Sequence, residues 1–207
     1  MSNVTKDLII LTPDRDTKAA IEGLLSRPQA IGIRSLEVDI FTHSQHDSGC
    51  YGNGTAFLSA FTEMYRYAIL IFDYEGCGAE NKSVGEIERE LENELNTSGW
   101  NGRADVVIIC PELENWVWSD SPHVDRELGW SDETVPMREW LISKGFLDTK
   151  NAKPTRPKEA MEAVLYKSRK PRSSSIYKSL AGKVSFQRCT DSSFNKFLNV
   201  LKTWFSL

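Results

Sequence analysis

The stretch ILIFDYEGCGAE (69–80) runs four apolar residues, Ile69 to Phe72, into two acids one residue apart, Asp73 and Glu75, and then into Gly76 and Gly78. A short unbroken apolar run bounded by turn formers reads as a strand covered on both faces. Acids directly after such a strand fall where open α/β sheets place their binding crevices. Three other runs join YAILIF (67–72) as strands: DLIIL (7–11), SLEVDIF (35–41) and ADVVII (104–109). The second alternates Glu37 and Asp39 with apolar neighbours and is expected towards an edge. Helical periodicity fills the gaps in TKAAIEGLLS (17–26), GTAFLSAFTEMY (54–65) and VGEIERELENELN (84–96). This alternation predicts an α/β fold, with a mainly parallel four-stranded sheet flanked by helices and right-handed crossovers. The segment HSQHDSGCYGN (43–53), rich in turn formers, reads as a loop closing over one end of the sheet.

After the fourth strand the character changes. PELENWVWSDSPHVDRELGW (111–130) is aromatic, acidic and irregular, and helices are expected near 135–144, 157–168, 173–182 and 191–204. Pro154 and Pro157 introduce one of them and Pro171 separates it from the next. In the last, Phe194, Phe197, Leu198, Leu201 and Phe205 share one stripe, the pattern of a docking face. The organisation is therefore an α/β domain over 1–130 with a helical, basic extension over 131–207 packed on it.

Hydrophobic residues make up 40% of the 207 and charged residues 26%, an ordinary globular balance. No apolar stretch approaches the roughly 20 residues that cross a bilayer, so no membrane role is expected. The opening residues lack the pattern of a secretory signal. Cys50, Cys77, Cys110 and Cys189 form no paired motif and read as reduced thiols of a cytoplasmic protein. The net charge of −4 conceals a division: residues 151–207 carry 12 Lys/Arg against 3 Asp/Glu, whereas residues 1–150 carry 13 against 26. An acidic body with a basic tail suits a carboxylate site beside a polyanion-binding surface, and equally suits two halves that attract each other.

The carboxylates fall at strand ends. The first strand runs into TPDRD (12–16) with Asp14 and Asp16, the third into Asp73 and Glu75, and the fourth into PELEN (111–115) with Glu112 and Glu114. In a parallel sheet these ends share one edge, and carboxylates so crowded raise one another's pKa unless a cation neutralises them. Oxygen donors without a Cys or His cluster favour Mg²⁺ or Mn²⁺ over zinc. Asp16, just before TKAAIEGLL, can equally be a helix N-cap. His43 and His46 with Asp47 lack a partner pair for zinc. His123, near Asp120 and Asp125, is a candidate general base or phosphate contact, or else a loop histidine bonded to its aspartate neighbours. Lys153, Arg156 and Lys158, with Arg172 in KSRKPRSSS (167–175), could cradle phosphates of DNA or RNA. Ser173 to Ser175 read as helix caps. Contacts of this kind would follow the nucleic-acid backbone and weaken with salt.

A strand, an acidic loop and a later strand ending in D-x-E resemble the Toprim fold of topoisomerases, primases and overcoming-lysogenization-defect nucleases. Asp73 and Glu75 match that family's metal-binding acids after strand three, while Pro13 stands where its first glutamate would align, with Asp14 and Asp16 close by. PELENWVWS (111–119) is similar to a P-x-x-E-x-W stretch of small Toprim-like defence proteins, which points to Glu114 and Trp116. Together with GLLSRPQAIGIR (23–34), FDYEGCG (72–78), KPTRPKEAMEAVL (153–165) and PRSSSIYKSLAGKVSFQRC (171–189), the chain looks like the small Toprim-like component of methylation-associated anti-phage defence islands. The resemblance implies a bacterial host and work beside a modification methyltransferase and other proteins of the same defence locus. That family is identified more by its genetic company than by a reaction; the converging carboxylates, with the Toprim likeness, point to a Mg²⁺- or Mn²⁺-dependent nuclease in which Asp73, Glu75 and Glu114 are catalytic and Asp14 or Asp16 completes the metal site. The alternative is a non-catalytic adaptor or sensor subunit, which Pro13 favours.

Overall fold

The structure is a computed structural model that describes residues 5–119, 121–183, 186, 189 and 191–207. Four parallel strands, β1 (Lys6–Thr12), β2 (Val38–Thr42), β3 (Tyr65–Asp73) and β4 (Ala104–Ile109), form one sheet in the order β2-β1-β3-β4. The two central strands are the two most apolar runs, and Leu8 to Leu11 and Ala68 to Phe72 are fully buried. β2, the run with alternating acids, lies at an edge and is only partly covered. Side chains alternate between two cores, as the period of a strand requires. Leu8, Ile10, Ile69, Ile71, Val107 and Ile109 enter one, while Ile9, Leu11, Leu70, Phe72, Val106 and Ile108 enter the other.

The second core is covered by α3 (His46–Ser59) and by α4 (Val84–Leu95), which continues into a π-helical turn at Asn96–Trp100. Ser83 and Glu86 form a reciprocal cap at the start of α4. Two expectations are corrected here. The helix expected over 54–65 lies at His46–Ser59, so most of the segment read as a loop is helical and Tyr65 already belongs to β3. Gly49, which suggested a turn, is instead a point of close approach, as is Gly54 in the expected helix. A Cβ on Gly49 would stand 2.1 Å from Nδ1 of His43, and one on Gly54 would stand 2.8 Å from Leu70. Short helices also form inside stretches that read as irregular: α2 (Pro28–Ile31), α5 (Glu114–Val117) and α6 (Pro122–Glu127).

The first core lies under α1 (Arg15–Leu25) and the helices of the second half: α7 (Met137–Ser143), α8 (Pro157–Lys167), α9 (Ser174–Ala181) and α10 (Ser192–Phe205). The helices of 131–207 share their core with the sheet. All five residues of the α10 stripe are buried with Leu8, Ile10 and Ile69. The ring of Trp204 stacks on Tyr67 at 4.5 Å, Arg34 N–H donates to the Phe205 carbonyl at 3.1 Å, and Ser206 bridges Ile33. Ion pairs follow the same seam: Lys178 to Glu22, Lys183 to Glu127, and Lys196 to Glu88, Glu92 and Asp105. Much of the basic tail is thus spent on the acidic body. Among the described residues no helix is long and apolar enough to cross a membrane.

α1 and α9 meet at Gly23, where an added Cβ would lie 2.4 Å from the Lys178 carbonyl oxygen and 2.8 Å from Ala181 Cβ. Backbone cannot yield as a flexible side chain would. Gly23→Ala is therefore expected to cost about 1–3 kcal/mol in urea denaturation. Gly52→Ala, in α3 with nothing within 4 Å, should stabilise by about 0.5–1 kcal/mol in the same measurement.

Candidate functional site

The C-terminal ends of β1, β3 and β4 open on a cleft of about 290 Å³. Asp14, Asp16, Asp73, Glu75, Glu112 and Glu114 all line it, so the six carboxylates expected at one edge do meet there. A seventh, Asp47, stands in the first turn of α3, and its Oδ1 accepts the Asp73 backbone N–H at 2.8 Å. Reading 43–53 as a loop concealed it. An acid in the first turn of a helix starting beside a strand end was the available signal. Lys158 and Arg172 are the two cations of the cleft.

Each carboxylate has a distinct environment. Asp14, not Asp16, is the N-cap of α1, accepting Thr17 N–H at 2.8 Å. That frees Asp16 to accept the Ser174 hydroxyl at 2.6 Å and the Arg172 guanidinium at 3.1 Å. Glu114 is 2% exposed, and its Oε1 accepts from Arg172 at 2.9 Å and from the Tyr177 hydroxyl at 2.6 Å. Burial, reinforced by the adjoining Glu114 charge, holds the Tyr177 phenol well above its usual range. Arg172 also reaches Glu162 at 3.2 Å, so one guanidinium ties three acids. Glu112 accepts the Lys158 backbone N–H at 2.9 Å. Burial and then the Glu114 charge push its pKa up to about 7. Glu75 lies exposed at the rim.

Asp73 is the centre of the strain. Burial, then Asp47, Glu114 and Asp14, hold its pKa well above the ordinary carboxylate value, and burial likewise raises Asp47. The Oδ1 atom of Asp73 is buried with no hydrogen-bond partner. Buried polar atoms are rarely left so, and a carboxylate oxygen in an all-oxygen setting is a donor suited to a hard divalent cation. Among the described residues, no three acidic, imidazole or thiol groups already stand in a metal-holding arrangement. The residues nonetheless fit such an ion. Asp73, Asp14 and Asp47 line one cleft and offer carboxylate oxygens of the kind a hard divalent cation takes.

The remaining candidates lie elsewhere. His123 and Lys153 border a separate, larger cavity beside Trp116 and Trp118. Asp120, the proposed neighbour of His123, lies outside the described residues. Arg156 is exposed, 3.8 Å from Glu159. Lys153, Arg156, Lys158 and Arg172 therefore do not form one phosphate cradle, because Lys158 and Arg172 turn into the carboxylates while the other two do not. His43 accepts Gln45 N–H at 3.1 Å and serves the turn before α3. Searches with this chain against protein-family models, curated proteins and solved structures found no match.

Two outcomes follow from these charges. A carboxyl whose folded pKa is raised keeps a proton that the unfolded chain has lost, so its contribution to stability falls as pH rises between the two values. For Glu112 that window runs from the ordinary carboxylate value to about 7. Asp7 and Asp39, lowered chiefly by hydrogen bonds from Arg34 and Lys6, act oppositely, and their contribution is lost only as pH falls below the ordinary value. In metal-free buffer, Tm is therefore expected to be higher at about pH 5.5 than at about pH 8. Asp73→Asn should narrow that gap, with about 2–4 °C gained per kcal/mol relieved. Separately, Arg172→Gln leaves Glu114 buried without its counter-ion and should cost about 3 kcal/mol. Adding Glu114→Gln in a double-mutant cycle should recover at least about 1 kcal/mol.

Proposed function

We propose that this protein is a Mg²⁺- or Mn²⁺-dependent phosphodiesterase acting as a nuclease in bacterial anti-phage defence, in the cytoplasm and beside other proteins of its locus. The observation that carries the catalytic part is the buried, unpartnered Oδ1 of Asp73 amid Asp14, Asp47 and Glu114 at the strand ends. The defence setting rests on the Toprim-like resemblance of FDYEGCG and PELENWVWS, and the free state of all four cysteines supports the cytoplasm.

Asp73, with Asp14 and Asp47 and with Glu75 at the rim, would hold the ion. When bound, it supplies the positive charge that phosphoryl transfer requires. The protein's own groups divide the remaining work. Arg172, fixed by Asp16 and Glu114, and Lys158 present cations to a phosphate at the cleft. Glu112, with a pKa near neutrality, can accept or return a proton at its carboxylate within the same cleft. The half-exposed position of Lys158 fits backbone rather than base contacts.

A second reading, a non-catalytic adaptor, is favoured by one specific observation. Arg172 already neutralises Asp16 and Glu114, as a structural counter-ion would, and Pro13 stands in the place of the expected glutamate. The two readings separate in one experiment. The phosphodiesterase should gain several degrees of Tm with millimolar Mn²⁺ and cleave DNA or RNA, and Asp73→Ala should abolish both effects. Absence of any Mn²⁺ shift and of cleavage across nucleic-acid types, with co-purification of other products of the locus, would establish the adaptor instead.

A further inference from the structure

A cavity of about 750 Å³ lies under α1, α5 and α9. Its size falls within the range of small-molecule pockets, which combine an apolar lining with a few placed polar groups. Leu24, Leu180, Trp116, Trp118 and Phe194 supply apolar wall. Both indole N–H groups are already used: Trp116 donates to Ser193 at 2.9 Å and Trp118 to the Pro157 carbonyl at 2.9 Å. The tryptophans therefore offer apolar ring surface, not donors.

The charged residues that border this cavity, among those described, are of one sign. Arg138, Lys153 and Lys183 border it, and no carboxylate does so among the described residues, although the cavity lies against a strongly acidic body. Lys183 is paired with Glu127. Lys153 and Arg138 have no carboxylate partner among the described residues: Lys153 Nζ donates to the Asn115 carbonyl at 2.5 Å and Arg138 to the Asn151 carbonyl at 2.7 Å. Ser119 and His123, also at the border, each carry a buried side-chain atom without a hydrogen-bond partner among the described residues, Oγ and Nδ1 respectively. Cations without a carboxylate partner and unsatisfied polar atoms share one enclosure with this apolar wall, which therefore offers complements to both an anionic and an apolar group.

We infer that this cavity binds an amphiphilic organic anion, an apolar body of acyl or aromatic type carrying one carboxylate- or phosphate-like head, with the head at Lys153 and Arg138 and the body against Trp116, Trp118 and Leu180. This goes beyond the metal-dependent reading of the neighbouring cleft and does not rest on it.

The test uses the full chain in metal-free buffer, so that it is independent of any nuclease activity. Laurate, below its aggregation concentration, is titrated by calorimetry and by displacement of anilinonaphthalene sulfonate, beside dodecanol and dodecyltrimethylammonium of the same chain length. Saturable binding of one laurate per chain is expected, at least tenfold tighter than either comparison compound. Lys153→Met should weaken laurate about tenfold while leaving dodecanol unchanged. Leu180→Trp, with native circular dichroism and a cooperative melt, should block the site by filling it. If Leu180→Trp does not fold, the ligand series on the wild-type chain decides by itself. No saturable laurate binding, several equivalents bound, or equal affinity for the uncharged or cationic compound would each overturn the proposal.

Discussion

The structure depends on neutralising negative charge at one rim of the sheet. Three parallel strands and the helices that begin beside them bring seven carboxylates to a cleft of about 290 Å³. Charges so placed are costly to bury, and the molecule answers in two ways. Some groups are shifted towards their protonated forms, burial raising the pKa of Asp73, Asp47 and Glu112. Others are met by Arg172, which comes from the turn between α8 and α9 and binds Asp16, Glu114 and Glu162. Placing that guanidinium requires the second half of the chain to fold back over the first.

The remaining charge pattern has the same logic. The acidic first 150 residues and the basic remainder meet along α1, α4, α6 and the edge of β4 through lysine–carboxylate pairs. Most of these pairs are partly exposed and individually worth little. Their collective effect is on which faces come together, while the cohesion comes from apolar burial: α10 sinks its whole stripe into the core beneath the sheet. Charge chooses the partner face and burial holds it there.

Much of this architecture is legible in the residues themselves. The continuous runs at 7–11, 67–72 and 104–109 could hardly be anything but doubly covered strands, and the acids after them had to share an edge once the strands were parallel. Two kinds of fact were not legible. One is the conformation of a glycine-rich helix: Gly49 reads as a turn former, because composition alone does not show that a glycine is there to let a helix approach a side chain. That misreading also hid Asp47. The other is the partner of a cation. Lys153, Lys158 and Arg172 look alike in sequence, yet one borders an apolar cavity and two face carboxylates, which only long-range packing decides. Similarly, Asp16 is the cap that the sequence offers, and only the folded backbone shows that Asp14 takes the position.

The interlock of Phe205 and Ser206 with Ile33 and Arg34 bears on how the chain acquires its shape during synthesis. The first strand emerges from the ribosome early, yet the face it shares with Ile69 and Val107 has no complete cover until α10 has been made. A nascent chain halted after β4 would display that apolar face to its surroundings, the condition in which chaperones engage and aggregation competes. Completing the cover of this α/β sheet thus depends on a helix far along the chain from its strands, and is less local than the early strand–helix units would suggest.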